Sequence, residues 1–270
     1  MQQIELEELK KIQLNILKDV HEYCEKNDLI YVLGWGTLLG AIRHNGFIPW
    51  DDDIDILMPR KDYEKFLNSY GGDYYNVVSR RNRLSYHLPF AKVIDCRTTL
   101  KEDSPLCDEI GVYIDIFPMD FVPGNKQERL RLFKKTSWLF RVIDYKTVSK
   151  KLEKGFKQKI LHAAVRLLTK PLSIYHLIDK LDRLARCNDG QKEWGDISCV
   201  VWDKRPEKRM LPYKSYFERE KHVFEKEEFY TPREYDLYLT ALYGDYMTLP
   251  PLDKRCSHHA FKAFWKNSLQ

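Results

Sequence analysis

Glycine and proline are sparse in this sequence, twelve of each in 270 residues. That is too few and too scattered for a collagenous or low-complexity chain. Long apolar runs are missing too. The best candidate for a membrane span, Leu29 to Ile42, has only 14 residues and contains three glycines, whereas a spanning helix needs roughly 20 apolar residues. The first eight residues, Met1-Gln-Gln-Ile-Glu-Leu-Glu-Glu, lack the basic charge of a secretory leader. Six cysteines (Cys24, Cys96, Cys107, Cys187, Cys199, Cys256) are spread without a C-x-x-C or a His pair at zinc spacing. Neither a disulfide framework nor a structural zinc site is expected, and reduced thiols in a cytoplasmic protein fit best.

What is present is enough for a packed core: 43% hydrophobic and 13% aromatic residues exclude general disorder. The length suits one large domain, or a domain of roughly 150 residues with an annex. The net charge of +5 is unevenly distributed. Residues 126–186 carry 17 Lys/Arg and five Asp/Glu, a local +12, which leaves −7 on the remainder. An acidic body carries one basic segment.

Periodicity predicts an amphipathic helix over 4–26, from Leu9, Ile12, Ile16, Val20 and Tyr23. A short strand at 29–33, a Gly34-Trp-Gly36 turn and a helix at 37–43 should follow. Next come a strand at 53–57 and a helix at 60–69 opened by Pro59. Strands are expected at 75–79, 90–98 and 112–117, which makes the first part a mixed α/β sheet of the α+β class with flanking helices. Residues 126–186 read as helical with a break at Lys170-Pro171, and 190–230 as irregular. Thr231-Pro-Arg-Glu234 has the form of a capping box opening a helix that stops at Gly244. A last short helix is expected at 256–266. The division we infer is a core over 1–125, a basic helical annex over 126–189, and a C-terminal segment over 190–270 that packs back on the core.

The chemistry concentrates in Trp50-Asp-Asp-Asp-Ile-Asp-Ile56. On a strand, Asp53 and Asp55 share one face while Ile54 and Ile56 enter the core. Paired carboxylates on a sheet repel each other, and a divalent cation relieves this, magnesium being suited to carboxylates shared with phosphate. Ile114-Asp115-Ile116 repeats the framing and supplies a third carboxylate. Upstream, Gly34, Gly36 and Thr37 place backbone N–H groups at a helix start, a setting for phosphate. Arg43 either neutralises a phosphate oxygen or pairs with the Asp cluster.

The stretch Gly36-Thr-Leu-Leu-Gly-Ala-Ile-Arg-His-Asn-Gly-Phe-Ile-Pro-Trp-Asp-Asp-Asp-Ile-Asp55 resembles the LicD family. The resemblance continues through Met58-Pro-Arg60, Asp62-Tyr63, Ile114-Asp-Ile-Phe-Pro118 and Tyr243-Gly-Asp-Tyr-Met-x-Leu-Pro-Pro251. It implies a nucleotidyltransferase-like fold and transfer of phosphocholine, or a related phospho-alcohol, from a CDP-linked donor. The implied acceptor is a hydroxyl of a lipid-linked glycan precursor such as a teichoic acid repeat, with CMP released. By the same resemblance Asp53, Asp55 and Asp115 are catalytic and hold magnesium or manganese. Gly34, Gly36, Thr37, Arg43 and Lys92 bind donor phosphate. Relatives often carry a small residue where Trp35 stands, so Trp35 points either into the site or into the core.

A quaternary ammonium is held by aromatic faces, for which Trp35, Trp50, Tyr86 and Tyr113 are candidates without a definite cage. The roles of Asp51, Asp52, His258 and His259 stay open. The basic segment 126–186 has amphipathic faces, marked by Leu130, Phe133, Ser137, Phe140 and Ile143 and again by Ile160, Ala164, Leu167 and Leu168. It is expected either to dock on the anionic inner face of the plasma membrane or to be a solvated face. Two rivals remain: a nucleotidyltransferase moving a nucleoside monophosphate from a triphosphate, and a non-enzymatic module binding anionic polymer. No nucleic-acid motif is present.

Overall fold

A computed structural model describes residues 1–102, 110–147, 160, 163–165, 167–188, 195–203, 206–255 and 261–266. Helix α1 (Leu6–Lys26) follows the two-residue strand β1 (Gln3–Ile4) and turns Leu9, Ile12, Ile16, Leu17, Val20 and Cys24 onto a sheet. These are positions of one 3.6-residue stripe, so the helix forms where its apolar face can be covered. The polar Gln13 lies on the same buried stripe.

The main sheet runs β2 (Val32–Leu33), β3 (Asp55–Pro59), β7 (Tyr113–Phe121), β5 (Ala91–Asp95) and β4 (Tyr75–Val78) in spatial order. The β3–β7 pair is parallel and the other pairs along this path are antiparallel, so the sheet is mixed. Strand β7 is buried from Tyr113 to Asp120, as expected of a central strand covered on both faces. Its far end continues through β8 (Asp196–Ser198) to β9 (Leu211–Pro212). Helix α2 (Trp35–His44) connects β2 to the loop before β3, and α3 (Arg60–Ser69) follows β3 directly. A small second sheet joins β1, β12 (Phe261–Trp265) and β6 (Thr98–Glu102), and so brings both ends of the chain together.

Helices α4 (Lys126–Thr147) and α5 (Ile174–Ala185) pack on one another, with the expected break between them. The buried stripe of α4 is Leu132, Phe133, Thr136, Leu139, Phe140, Val142 and Ile143. Of the predicted face, Phe133, Phe140 and Ile143 are inside, Ser137 is half-buried and Leu130 is exposed. Ile160, Ala164, Leu167 and Leu168 are exposed too.

Three expectations are corrected. Residues 219–232 are not irregular: β10 (Arg219–Phe224) and β11 (Glu227–Pro232) form a hairpin, which follows the short helix α6 (Tyr213–Phe217). Its two-residue turn uses Glu225 and Lys226 at positive φ, a primed-turn geometry that normally advertises itself with Asn or Gly. Thr231 and Pro232 belong to β11 rather than a capping box, and α7 (Tyr235–Tyr243) starts after Glu234 with no side-chain cap. Gly244 ends it with φ +71°, as expected. Finally, 261–265 is a strand and not a helix. Its pairing with β1 on one side and β6 on the other outweighs a weak helical pattern. Residues 256–260, with His258 and His259, lie outside the described residues.

Candidate active site

Strand register brings two of the three predicted carboxylates together, while Asp53 lies ahead of the strand, which begins at Asp55 and not at residue 53 as expected. Asp55 on β3 stands directly opposite Asp115 on β7, and Asp115 in turn stands opposite Lys92 on β5. Asp53 precedes Asp55 by two residues. Burial and the charges of Asp53, Asp115 and Asp51 push the Asp55 carboxyl well above the usual carboxylate range, with Lys92 opposing them. Lys92, itself buried, donates to Asp115 Oδ1 at 2.5 Å and lies 3.3 Å from the Tyr113 ring centroid.

The turn before α2 is tied to this strand. Gly34 N–H donates to the Asp55 carbonyl at 2.9 Å, and Asp55 N–H donates to Thr37 Oγ1 at 2.8 Å. Thr37 is buried, so its hydroxyl positions the carboxylate strand. Gly36 makes room for a side chain: a Cβ there would stand 2.8 Å from Asp51 Oδ2 and force that carboxylate to shift. That draws Asp51 into the site. Trp35 takes a left-handed backbone (φ +37°), a costly conformation for a bulky residue. It is held by an edge contact of 4.3 Å with Phe117 and by its N–H to the Tyr238 hydroxyl at 3.2 Å. Its ring therefore packs against the core. The N–H groups of Gly36 and Thr37 belong to the first turn, which lacks intrahelical acceptors.

Arg43 contacts the Tyr246 loop and its own neighbour rather than the Asp cluster. Its Nη1 donates to the Tyr246 carbonyl at 2.5 Å and its Nε to His44 Nε2 at 3.0 Å. It thereby ties α2 to the Tyr-Gly-Asp-Tyr loop. Between them lies a cavity of about 500 Å³ lined by Gly36, Arg43, Trp50, Asp51, Tyr243, Asp245, Tyr246 and the Pro250-Pro251 turn. Tyr243, an exposed residue on the wall of this cavity, has its hydroxyl pKa raised first by partial desolvation, against Arg209 and with the aid of Asp55, Asp51 and Asp53. The cavity is thus adjacent to the carboxylates. Of the other aromatic candidates, Trp50 lines it with Arg255 over its ring at 5.4 Å, Tyr113 underlies Lys92, and Tyr86 is buried.

Two supports escaped sequence reasoning. Gln13 Nε2 donates to the Asp52 carbonyl at 2.9 Å and to the Tyr113 carbonyl at 3.2 Å. One buried amide on α1 therefore spans the segments that carry Asp53 and Asp115. A polar residue on an otherwise apolar stripe was its only sequence signal. Below the site, Arg60 Nε and Nη2 grip Asp120 at 2.6 and 2.9 Å, and its Nη1 reaches Asp182 on α5 at 2.9 Å. Burial opposes the Arg60 charge, but Asp120 more than offsets it and raises the guanidinium pKa.

The donors suit a hard divalent cation in type, and the strain on Asp55 is of the kind such a charge would offset. Among the described residues, however, no three Asp, Glu, His or Cys side chains are gathered closely enough to hold a metal ion, and Asp115 gives one oxygen to Lys92.

A glycine turn and helix feed a carboxylate strand, beside a parallel strand with a further Asp, in a protein of the α+β class. Residues 28–150 match the LicD/FKTN/FKRP nucleotidyltransferase domain. The chain is 32% identical over 288 residues to the lipopolysaccharide cholinephosphotransferase LicD of Haemophilus influenzae, an alignment covering 98% of this chain and 99% of that one. The chain belongs to the LicD family. An uncharacterized protein of Rickettsia typhi is 31% identical over 133 residues, 48% of this chain and 41% of that one. One from Rickettsia prowazekii is 51% identical over 47 residues, 17% and 18% of the two chains.

Proposed function

We propose that this protein is a phosphotransferase that moves phosphocholine, or a related phospho-alcohol, from a CDP-linked donor to a hydroxyl of a cell-surface glycan precursor. The observation that carries the reading is the register that sets Asp55 opposite Asp115, with Asp53 beside it, next to a cavity of about 500 Å³. The near full-length similarity to a cholinephosphotransferase supports the donor class.

In this reading the acceptor oxygen bonds to the phosphorus distal from the nucleoside, the bond from that phosphorus to the bridging oxygen breaks, and CMP leaves. Asp115 takes the hydroxyl proton, with its orientation set by Lys92. The first-turn N–H groups of Gly36 and Thr37 bind donor phosphate, and Arg43 holds the cavity wall. Magnesium, or manganese, is the cofactor we assign; Asp53, Asp55 and Asp115 would hold it by drawing closer together than they stand in this structure. When bound it supplies charge stabilisation for the attacking and leaving oxygens. The acceptor we assign is a lipid-linked glycan repeat such as that of teichoic acid.

The test is turnover of CDP-choline with lipid-linked glycan acceptors in the presence of magnesium, following CMP. We expect CMP release, and its loss in Asp53→Asn. Pyrophosphate release from a nucleoside triphosphate instead would assign nucleotidyl transfer, and an unimpaired Asp53→Asn would refute the site.

A further inference from the structure

One surface outside the site combines exposed bases with exposed apolar side chains. On α4, Leu130, Lys134, Trp138 and Arg141 follow one another at helical spacing on the face opposite the buried stripe, flanked by Arg131 and Lys135. All six are exposed, Trp138 at 55%. No Asp or Glu occurs between Arg129 and Ile143. Beside the end of this helix, Lys146 Nζ donates to the Thr169 carbonyl at 2.7 Å. That bond seats a segment whose Leu167, Leu168 and Leu172 all point to solvent, Leu168 at 78%.

We propose that this face is a docking surface for an anionic lipid bilayer, with Trp138 and the neighbouring leucines entering the interface and the four cations meeting headgroups. A large aromatic ring set among Lys and Arg is the composition of an interfacial helix face. Charge complementarity accounts for the bases and apolar burial for the leucines. A polyanion in solution would use the bases but leave the leucines in water. A second copy of this chain would bring four cations against four cations. No helix among the described residues is long and apolar enough to cross a membrane, so attachment of this kind would be peripheral. The inference does not depend on the reaction proposed above.

The test is co-sedimentation of the full chain with vesicles of phosphatidylcholine alone and of phosphatidylcholine mixed with phosphatidylglycerol. Binding is expected only to the anionic vesicles, weakening with salt. Each basic residue near the surface contributes about fivefold, so Lys134→Gln with Lys135→Gln should lower partitioning about 30-fold. Tryptophan emission should shift to the blue on binding, and Trp138→Phe should remove part of that shift. All these side chains are exposed, so the variants should melt like the parent. Equal binding to both vesicle types, or no loss in the charge variant, would overturn the proposal. So would an unchanged emission shift in Trp138→Phe, or a dimer in solution that Trp138→Ser dissociates while no vesicle binds.

Discussion

Gln13→Leu isolates the amide that spans the two carboxylate-bearing segments. Leucine keeps the volume on a buried stripe and removes both hydrogen bonds, to the Asp52 and Tyr113 carbonyls. A buried acceptor left without its donor costs about 1–3 kcal/mol. Two such carbonyls set a range of about 2–6 kcal/mol. Each carbonyl has a second lone pair, and leucine also removes the Gln13 Oε1, a buried atom with no partner. The net loss should therefore sit near the lower end, about 2–3 kcal/mol. For a chain of this size that corresponds to a drop in Tm of roughly 4–6 °C. Because the bonds fix the backbone next to Asp53 and Asp115, turnover at saturating donor should fall about tenfold or more. Half-maximal activation should also need more magnesium. Gln13→Asn, whose amide is one methylene short, should fall between. Calorimetry and a magnesium titration of CMP release measure the two effects. A Gln13→Leu protein that melts with the parent, or that loses stability while keeping its turnover and magnesium dependence, would refute the positioning role.

Gly36→Ala should fold but lose turnover, since its methyl would occupy space 2.8 Å from Asp51 Oδ2; activity beside an unchanged circular dichroism melt reads this out. Arg60→Met should lower stability by about 3–5 kcal/mol in denaturant titration, because it leaves Asp120 charged and buried. His21 is held below its ordinary pKa of 6.5 chiefly by burial, against the opposing charge of Glu25. Below 6.5 the unfolded chain binds the proton more readily than the folded one. Stability should therefore be full above that pH and fall as pH drops through it. His21→Gln should flatten this segment of a Tm–pH curve.

Residue pattern made several elements legible. The stripe of α1, the Ile-Asp-Ile frames of β3 and β7, and Gly244 at the end of α7 each rest on a local rule: a 3.6-residue period, a two-residue period, a left-handed cap. The β10–β11 hairpin was not legible, because Glu225 and Lys226 occupy positions where no Asn or Gly announces a turn. Thr231-Pro232 mimicked a helix start, since the capping pattern does not reveal that the preceding residues are already paired to β10. Strand β12 likewise exists through partners more than 150 residues away in the chain, in β6, and at the other terminus, in β1.

Residue pattern alone located the cluster of candidate carboxylates, with Asp55 and Asp115 each framed by isoleucines, Asp53 two residues before Asp55, and a glycine turn just upstream. It also determined that the charge is divided between an acidic body and a basic helical segment. Tertiary packing sets Asp55 opposite Asp115 and closes Lys92 on Asp115, because strand order and register depend on which surfaces bury each other. It also decided that Thr37 braces the strand, that Arg43 turns to the Tyr246 carbonyl, and that Gln13 joins the two carboxylate segments. Those contacts satisfy backbone groups that burial would otherwise leave unpaired, and no local pattern says which groups burial will reach.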